Sequence, residues 1–277
     1  SEIMKDCLGY IVPNYIIKKF LYKKLNYISN ITLIDKAECV SVETSNQNAL
    51  LKLSNKKNIT SSLVVAADSR FSKIRTKMGI SAFTRNFNKN MIVCRMKHEK
   101  PHKNIAYEFF RYNQTQASLP CFKNESSIVT TASKSSSENL MKMNDRKFNS
   151  EMESNFNNFL GKMKVVGKRY SYPMVTTYAK KFVSHRFALI GDAAVGMHPV
   201  TANGFNLNLK GIEILINEIV SSIKNKADIG SAKILESYQF KLHRSAIPLY
   251  LTTNSIVNLY TSNILPAKIT RQFMLRL

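Results

Sequence analysis

A mixed α/β (α+β) fold is what this sequence of 277 residues predicts, on three observations. Residues 63–67 and 187–190 are apolar runs that end on carboxylates, at Ala67-Asp68 and Gly191-Asp192, each just before a turn and a helix-like start. Strands that deliver side chains to a carboxyl edge before a helix are the units of open α/β sheets, and that edge is where ligands bind. Residues 90–131 instead hold several apolar, aromatic and β-branched runs broken by polar turns, the pattern of an antiparallel sheet.

In chain order, residues 10–28 are expected to be helical and 31–53 to form short strands, ITLIDKAECVSVET alternating and NALLKL following. Lys56-Lys57-Asn58 reads as a hairpin turn before the strand at 63–67. The serine-rich stretch 133–139, SKSSSEN, is expected to be a loop. Over 144–164, Phe148, Met152, Phe156, Phe159 and Leu160 recur at helical spacing, so the whole segment is expected to be one helix. Strands follow near 171–178 and 186–190, then a long helix over 204–224 and two more helices to the end. The segment 246–269 is apolar enough to dock on a membrane or a partner, but its periodicity better suits a packing helix. No apolar run of about 18 residues occurs, so no bilayer-spanning helix is expected.

Lys and Arg number 41 against 18 Asp and Glu, a formal charge of +23. Such an excess favours anionic partners, yet the basic residues are dispersed, as in KKFLYKK (18–24) and KSSSENLMKMNDRK (134–147). Without a basic arm or an RNA-binding aromatic signature, nucleic acid is not an expected partner. Compositional drift and attraction to a membrane surface both stay open. Cys7, Cys39, Cys94 and Cys121 are widely spaced with no Cys-x-x-Cys pair, which suits reduced, mostly buried thiols rather than a metal site.

Residues 187–207, FALIGDAAVGMHPVTANGFNL, concentrate the functional signal. A carboxylate at the end of a strand can accept a hydrogen bond from a ribose or ribityl hydroxyl. The amides of the following helix start suit a phosphate or an electron-rich ring. The order Gly-Asp-Ala-Ala, His-Pro and Gly-Phe-Asn-Leu resembles the GD motif of the FAD-dependent aromatic-ring monooxygenases. Within them it looks most like the ubiquinone-biosynthesis hydroxylases (the UbiH, UbiF and UbiM group). Residues 63–75, LVVAADSRFSKIR, are similar to the family's DG motif, Ala-Asp-Gly-x-x-Ser-x-x-Arg. Asp68, Arg70, Ser72 and Arg75 are in place, and Ser69 stands where the glycine would. A strand followed by a capped helix accounts for Asp68 and Ser72 equally well. Weaker similarity runs through GYIVPNYIIKKFLYKKL, AYEFFRYNQTQASLP (106–120), SYPM (171–174) and ESYQFKLHRSA (236–246).

The resemblance implies a p-hydroxybenzoate-hydroxylase-like FAD-binding fold, a cofactor domain interleaved with an antiparallel substrate sheet. It divides the chain into a partial FAD-binding domain (1–80), a substrate-binding β-sheet domain (81–180), an FAD-binding portion with the GD motif (181–225) and a C-terminal helical segment (226–277). It also implies FAD contacts for Asp68, Arg70, Gly191, Asp192, Pro199, Ala202, Asn203, Gly204, Phe205 and Asn206. Of these, Asp192 is expected at the ribityl chain and 199–206 beside the isoalloxazine. The implied reaction is hydroxylation of the aromatic ring of a polyprenylated phenol, with NAD(P)H as electron donor. His198 and Pro199 are the candidate catalytic residues, His198 serving as a proton relay or ring contact or, equally, packing the loop. His98, His102, His185 and His243 are expected at the surface or in packing. The expected localisation is cytoplasmic. Peripheral contact with the membrane's inner face, or with other ubiquinone-biosynthesis proteins, stays open.

Departures from the family pattern are equally legible. No Gly-x-Gly-x-x-Gly occurs in these residues, which begin at Ser1, so the amino-terminal third of the usual protein is expected to be absent and the fold N-terminally truncated. The family loop Pro-x-x-Gly-Gln-Gly-x-Asn-Leu-Gly has Ala202, Asn203 and Asn208 at its first glycine, glutamine and last glycine. Asn208 is expected to crowd the flavin, and Ser69 to be strained if its position needs a positive φ. Three readings therefore stay open. They are a ring hydroxylase of ubiquinone biosynthesis, a non-catalytic remnant or basic binding protein, and another flavin oxidoreductase of the superfamily such as a prenyl reductase.

Overall fold

The computed structural model describes residues 9–111 and 114–261. Helix α1 (Asn14–Leu25) precedes strands β1 (Cys39–Thr44), β2 (Ala49–Leu53), β3 (Asn58–Ser61) and β4 (Val64–Ala66), then the short helix α2 (Lys73–Lys77). Strands β5 (Ala82–His98), β6 (Tyr107–Arg111), β7 (Gln114–Pro120) and β8 (Glu125–Ser133) lead to helices α3 (Lys134–Lys142) and α4 (Asp145–Asn155). Strands β9 (Met163–Ala179), β10 (Val183–Ser184), β11 (Phe187–Leu189) and β12 (Val195–Gly196) precede helices α5 (Gly204–Lys224) and α6 (Ala232–Thr261). These residues divide into two compact units. The first takes in the chain up to Ile34 and Asn88–Met174; the second takes in Asp35–Phe87 and the chain from Val175.

In the first unit, β5, β8, β7 and β6 pair antiparallel in that order, as the alternating runs at 90–131 predict. Ile92, Cys94 and Met96 of β5 and Ile128 of β8 share one buried face with Leu140, Phe148, Met152, Phe156 and Leu160. Each such side chain contributes about 1.5–3 kcal/mol on burial, so this apolar layer carries most of the unit's stability. Two sequence expectations fail here. Residues 134–142 are a helix, not a loop, because Ser133 Oγ accepts from Ser136 N (3.2 Å) and so caps it, while Ser137 and Leu140 are buried. The helix expected over 144–164 ends at Asn155. Asn157, Asn158 and Gly161 take positive φ (+50°, +55° and +72°) and turn the chain toward β9, although Phe156 and Leu160 stay in the core. Arg169 donates to the carbonyls of Leu140 (2.9 Å) and Met143 (2.6 Å), satisfying the end of α3. Helix α1 forms as predicted but buries none of its residues.

In the second unit, β1, β2 and β3 form an antiparallel meander, and the β2–β3 hairpin turns through Lys56 at φ +65°. The parallel pair lies elsewhere. Phe187, Ala188 and Leu189 of β11 stand opposite Val64, Val65 and Ala66 of β4, so both carboxylate-tipped runs end at one edge. Phe187, Ala188 and Leu189 are fully buried beneath α5 and α6, whose inward faces include Leu207, Leu215, Leu235, Tyr238 and Leu242. The Tyr238 hydroxyl donates to Leu189 O (2.6 Å), tying α6 to β11. Among the described residues after 224 there is one helix, α6, with an internal Pro248, and the rest of the stretch where two helices were expected lies outside them. Ala246, Thr253 and Val257 are buried on it, which favours packing for that part of the 246–269 segment; 262–269 lie outside the described residues. Among the described residues no helix is long and apolar enough to cross a membrane. Cys94 is buried, which pushes its thiol up to about 12, while Cys39 and Cys121 are only half-buried and Cys7 lies outside the described residues.

Arg186 fastens this unit. Its side chain is buried at φ +52° and donates to Asn46 O (3.0 and 2.5 Å), Ser62 O (2.9 Å) and Asp228 Oδ1 (3.0 Å), and it also pairs with Asp228 Oδ2. The Arg186 hydrogen bond, then the Gly230 N–H, holds the Asp228 carboxyl below its ordinary value of 3.8. A depressed carboxyl stabilises the folded chain above its unfolded pKa and loses that contribution as pH falls through the folded value. Arg186→Leu should lower stability by about 2–4 kcal/mol, because it leaves several acceptors unpaired. Thermal melts from pH 7 to pH 3 should also show a shallower acid loss in the variant, and equal acid slopes would remove Asp228 from this role.

Candidate functional site

The candidate site grows from the shared carboxyl edge of β4 and β11. After β11, Gly191 takes φ +62° and opens a single 3₁₀ turn, Gly191–Ala193, which presents Asp192. After β4, Asp68 is exposed and Ser69 Oγ accepts from Phe71 N (3.1 Å). Ser69 is not among the residues with positive φ, so serine is unstrained there. Ser72 Oγ then caps α2 by accepting from Arg75 N (3.0 Å).

Two arginines join these strings. Arg70 donates from Nε (3.1 Å) and Nη2 (2.6 Å) to Asp192 Oδ2, and from Nη1 to Val175 O (2.6 Å). Arg75, itself buried, donates to Ala193 O (2.8 Å) and Arg70 O (3.2 Å). Burial lowers the pKa of Arg75, an effect that the charge of Asp68 opposes. The other oxygen of Asp192, Oδ1, accepts from Asn208 Nδ2 (3.0 Å), one turn into α5. The DG string thus reaches Asp192 through Arg70.

The loop between β12 and α5 carries the remaining candidates. His198 Nδ1 accepts from Val200 N (3.2 Å) and its ring meets Phe87 edge-on at 5.0 Å, with the Arg85 guanidinium 4.5 Å from the Phe87 centroid. Pro199 opens a 3₁₀ turn over Pro199–Thr201, and Ala202 takes the left-handed conformation (φ +51°). Asn203 stands at the start of α5 without a side-chain cap, and the first turn of α5 has no acidic residue. The amides of Gly204, Phe205 and Asn206 therefore lie at a helix end whose donors have no intrahelical acceptor. Phe205 and Asn206 are exposed.

The other histidines pack or lie outside. His98 bonds Lys100 O (2.6 Å) and Ser126 Oγ (3.0 Å), and His102 is buried beside it. His243 Nδ1 meets the Tyr178 hydroxyl (2.8 Å) and stacks on Phe182 at 4.1 Å; burial lowers its pKa and raises Tyr178 to about 12. His185 is exposed. A cavity of about 530 Å³ in the second unit, bounded by Met78–Ser81, Lys180, Lys181 and the start of α6, contains none of the candidate residues.

Sequence reasoning missed Asn208 as a partner of Asp192, and it missed Gly196. In the sequence, Asn208 stands out only as a side chain at a glycine position of the family loop. A Cβ added to Gly196 would lie 2.9 Å from Arg70 Cβ, so this glycine lets the arginine pass. Gly196→Ala should cost about 1–3 kcal/mol through this overlap. Chemical denaturation should report it as a lower midpoint, and an unchanged midpoint would mean that Arg70 is not confined there.

The chain matches the family model described as FAD binding domain over residues 9–249. It is 38% identical over 271 residues to the ubiquinone hydroxylase UbiM of Neisseria meningitidis, covering 98% of this chain and 59% of that protein. It is 30% identical over 265 residues to the ubiquinone hydroxylase UbiL of Rhodospirillum rubrum, covering 96% of this chain and 62% of that one. The chain therefore spans about three-fifths of the length of these curated relatives. Its fold superposes on the crystal structure of p-nitrophenol 4-monooxygenase PnpA from Pseudomonas putida with a TM-score of 0.75 at 13% identity, covering 95% of this chain and 67% of that one. The architecture is the p-hydroxybenzoate-hydroxylase-like fold that the motifs imply. Carrying both Asp motifs at one sheet edge, the chain belongs to the FAD binding domain family.

Proposed function

We propose that this chain serves an FAD-dependent monooxygenase that hydroxylates the aromatic ring of a polyprenylated phenol in ubiquinone biosynthesis. The observation that carries this reading is the Asp192 carboxylate, held at the end of β11 by Arg70 and Asn208 and still one-third exposed. A fixed, solvent-facing acceptor next to an uncapped helix start matches the two needs of a flavin, a hydroxyl donor on its ribityl chain and an electron-rich ring. The names of the relatives supply the substrate class, and the family supplies the cofactor.

When bound, FAD reduced by NAD(P)H supplies the oxygen-activating chemistry, and the protein supplies position and electrostatics. Asp192 would hold a ribityl hydroxyl; Gly191 sets the turn that presents the carboxylate, and Arg70 fixes its orientation. Gly204, Phe205 and Asn206 would offer amides to the ring, and Pro199, Ala202 and Asn203 shape the turn that precedes them. The contacts of His198 with Val200 N and the Phe87 ring favour the loop-packing role. Asp68 neighbours Arg75 and supports the DG string at one remove. The sheet of the first unit serves the phenol, in keeping with the division into cofactor portions (1–80 and 181–225), a substrate sheet (81–180) and a helical end (226–277). A substrate with a polyprenyl tail resides in a bilayer, and a charge of +23 favours contact with an anionic membrane face.

Titration of the 277-residue chain with FAD, followed by flavin fluorescence, tests the cofactor assignment. Asp192→Ala should weaken binding by roughly tenfold or more, the effect of losing a charge-assisted hydrogen bond. Equal affinity in the variant would overturn the role of Asp192.

A further inference from the structure

The Asp192 carboxylate has two oxygens and about four acceptor positions. Arg70 fills both positions on Oδ2, through Nε (3.1 Å) and Nη2 (2.6 Å). Asn208 fills one on Oδ1 (3.0 Å). One acceptor position is left, and it lies on Oδ1.

The clamp cannot easily turn to expose a second. Arg70 is anchored to Val175 O (2.6 Å) and confined beside Gly196. Asn208 rides on α5, a helix of 21 residues whose neighbour Leu207 is buried in the core. Donors from two sides therefore fix the carboxylate plane, one from the segment after β4 and one from α5. Arg70 alone would leave Oδ1 with both positions open and the carboxylate held from one side only.

We propose that Asn208 is a positioning residue that leaves Asp192 a single acceptor, so that the site selects ligands offering one hydroxyl from a polyol chain. This rests on the flavin reading and sharpens it. The preferred class is flavins with a ribityl chain, discriminated against ring-only flavins through that one hydrogen bond. The residue that looks like a lost glycine is the one that sets the selectivity.

The test is a set of fluorescence titrations of the full chain with riboflavin, FAD and lumiflavin, which has a methyl group in place of the ribityl chain. The parent should prefer riboflavin to lumiflavin by roughly tenfold. Asn208→Leu keeps the γ-branched shape, in a larger side chain without a donor, and should cut that preference to about twofold while leaving lumiflavin affinity within twofold of the parent. Asn208→Gln, which keeps the amide, should recover part of the preference. Asn208→Gly serves as a second donor-free variant should the leucine variant fail to fold, and thermal melts establish folding for each. Full preference in both donor-free variants would overturn the role of Asn208 and leave the flavin reading standing. An equal loss of riboflavin and lumiflavin affinity would also overturn it, because that pattern marks a purely structural residue. A parent that binds none of the three flavins would overturn the flavin reading itself, and this inference with it.

Discussion

The contact between Arg70 and Asp192 is the constraint around which the second unit is arranged. Its direct energy is modest, because both side chains are about one-third exposed and such pairs contribute roughly 1 kcal/mol or less. The folding energy comes instead from the apolar strands beneath, Phe187 to Leu189, and from the helices that cover them. What the ion pair supplies is alignment. The parallel register of β4 and β11, the Arg75 bond to Ala193 O and the absence of a side chain at Gly196, against which Arg70 packs, all serve to bring one guanidinium to one carboxylate.

Much of this was legible in the chain. The helix over 204–224 stands at its expected bounds, and the strands near 63–67 and 187–190 lie where their apolar runs put them. The errors share a cause, which is that local composition was overridden by capping or packing. Serines at 133–137 read as a loop until one of them caps a helix and another is buried. Phe156 and Leu160 keep helical spacing after the helix has ended, because asparagines in left-handed conformations can turn the chain while the side chains still reach the core.

The site was legible in a narrower sense. Motif spacing marked Asp192 and Arg70 separately, but no spacing rule joins residues that far apart, so their contact awaited the fold. Departures from a family pattern proved harder to weigh than matches to it. Ser69 sits in an ordinary backbone conformation, so the missing glycine strains nothing. Asn208, read as an obstruction, reaches Asp192 instead. A substitution at a glycine position carries information only when the direction of the new side chain is known.

The division of the second unit into two stretches of chain has a kinetic consequence. Arg70 and Asp192 are separated by 122 residues, and the segment between them includes a sheet whose strands β6, β7 and β8 pair with immediate neighbours. Local antiparallel pairs close short loops, whereas β4 and β11 must close a long one before their parallel register pays anything back. During synthesis, β11 also emerges only after the inserted sheet is complete. The inserted sheet can therefore fold while β4 still waits for its neighbour, and the carboxylate at the centre of the site is among the last groups to find its place.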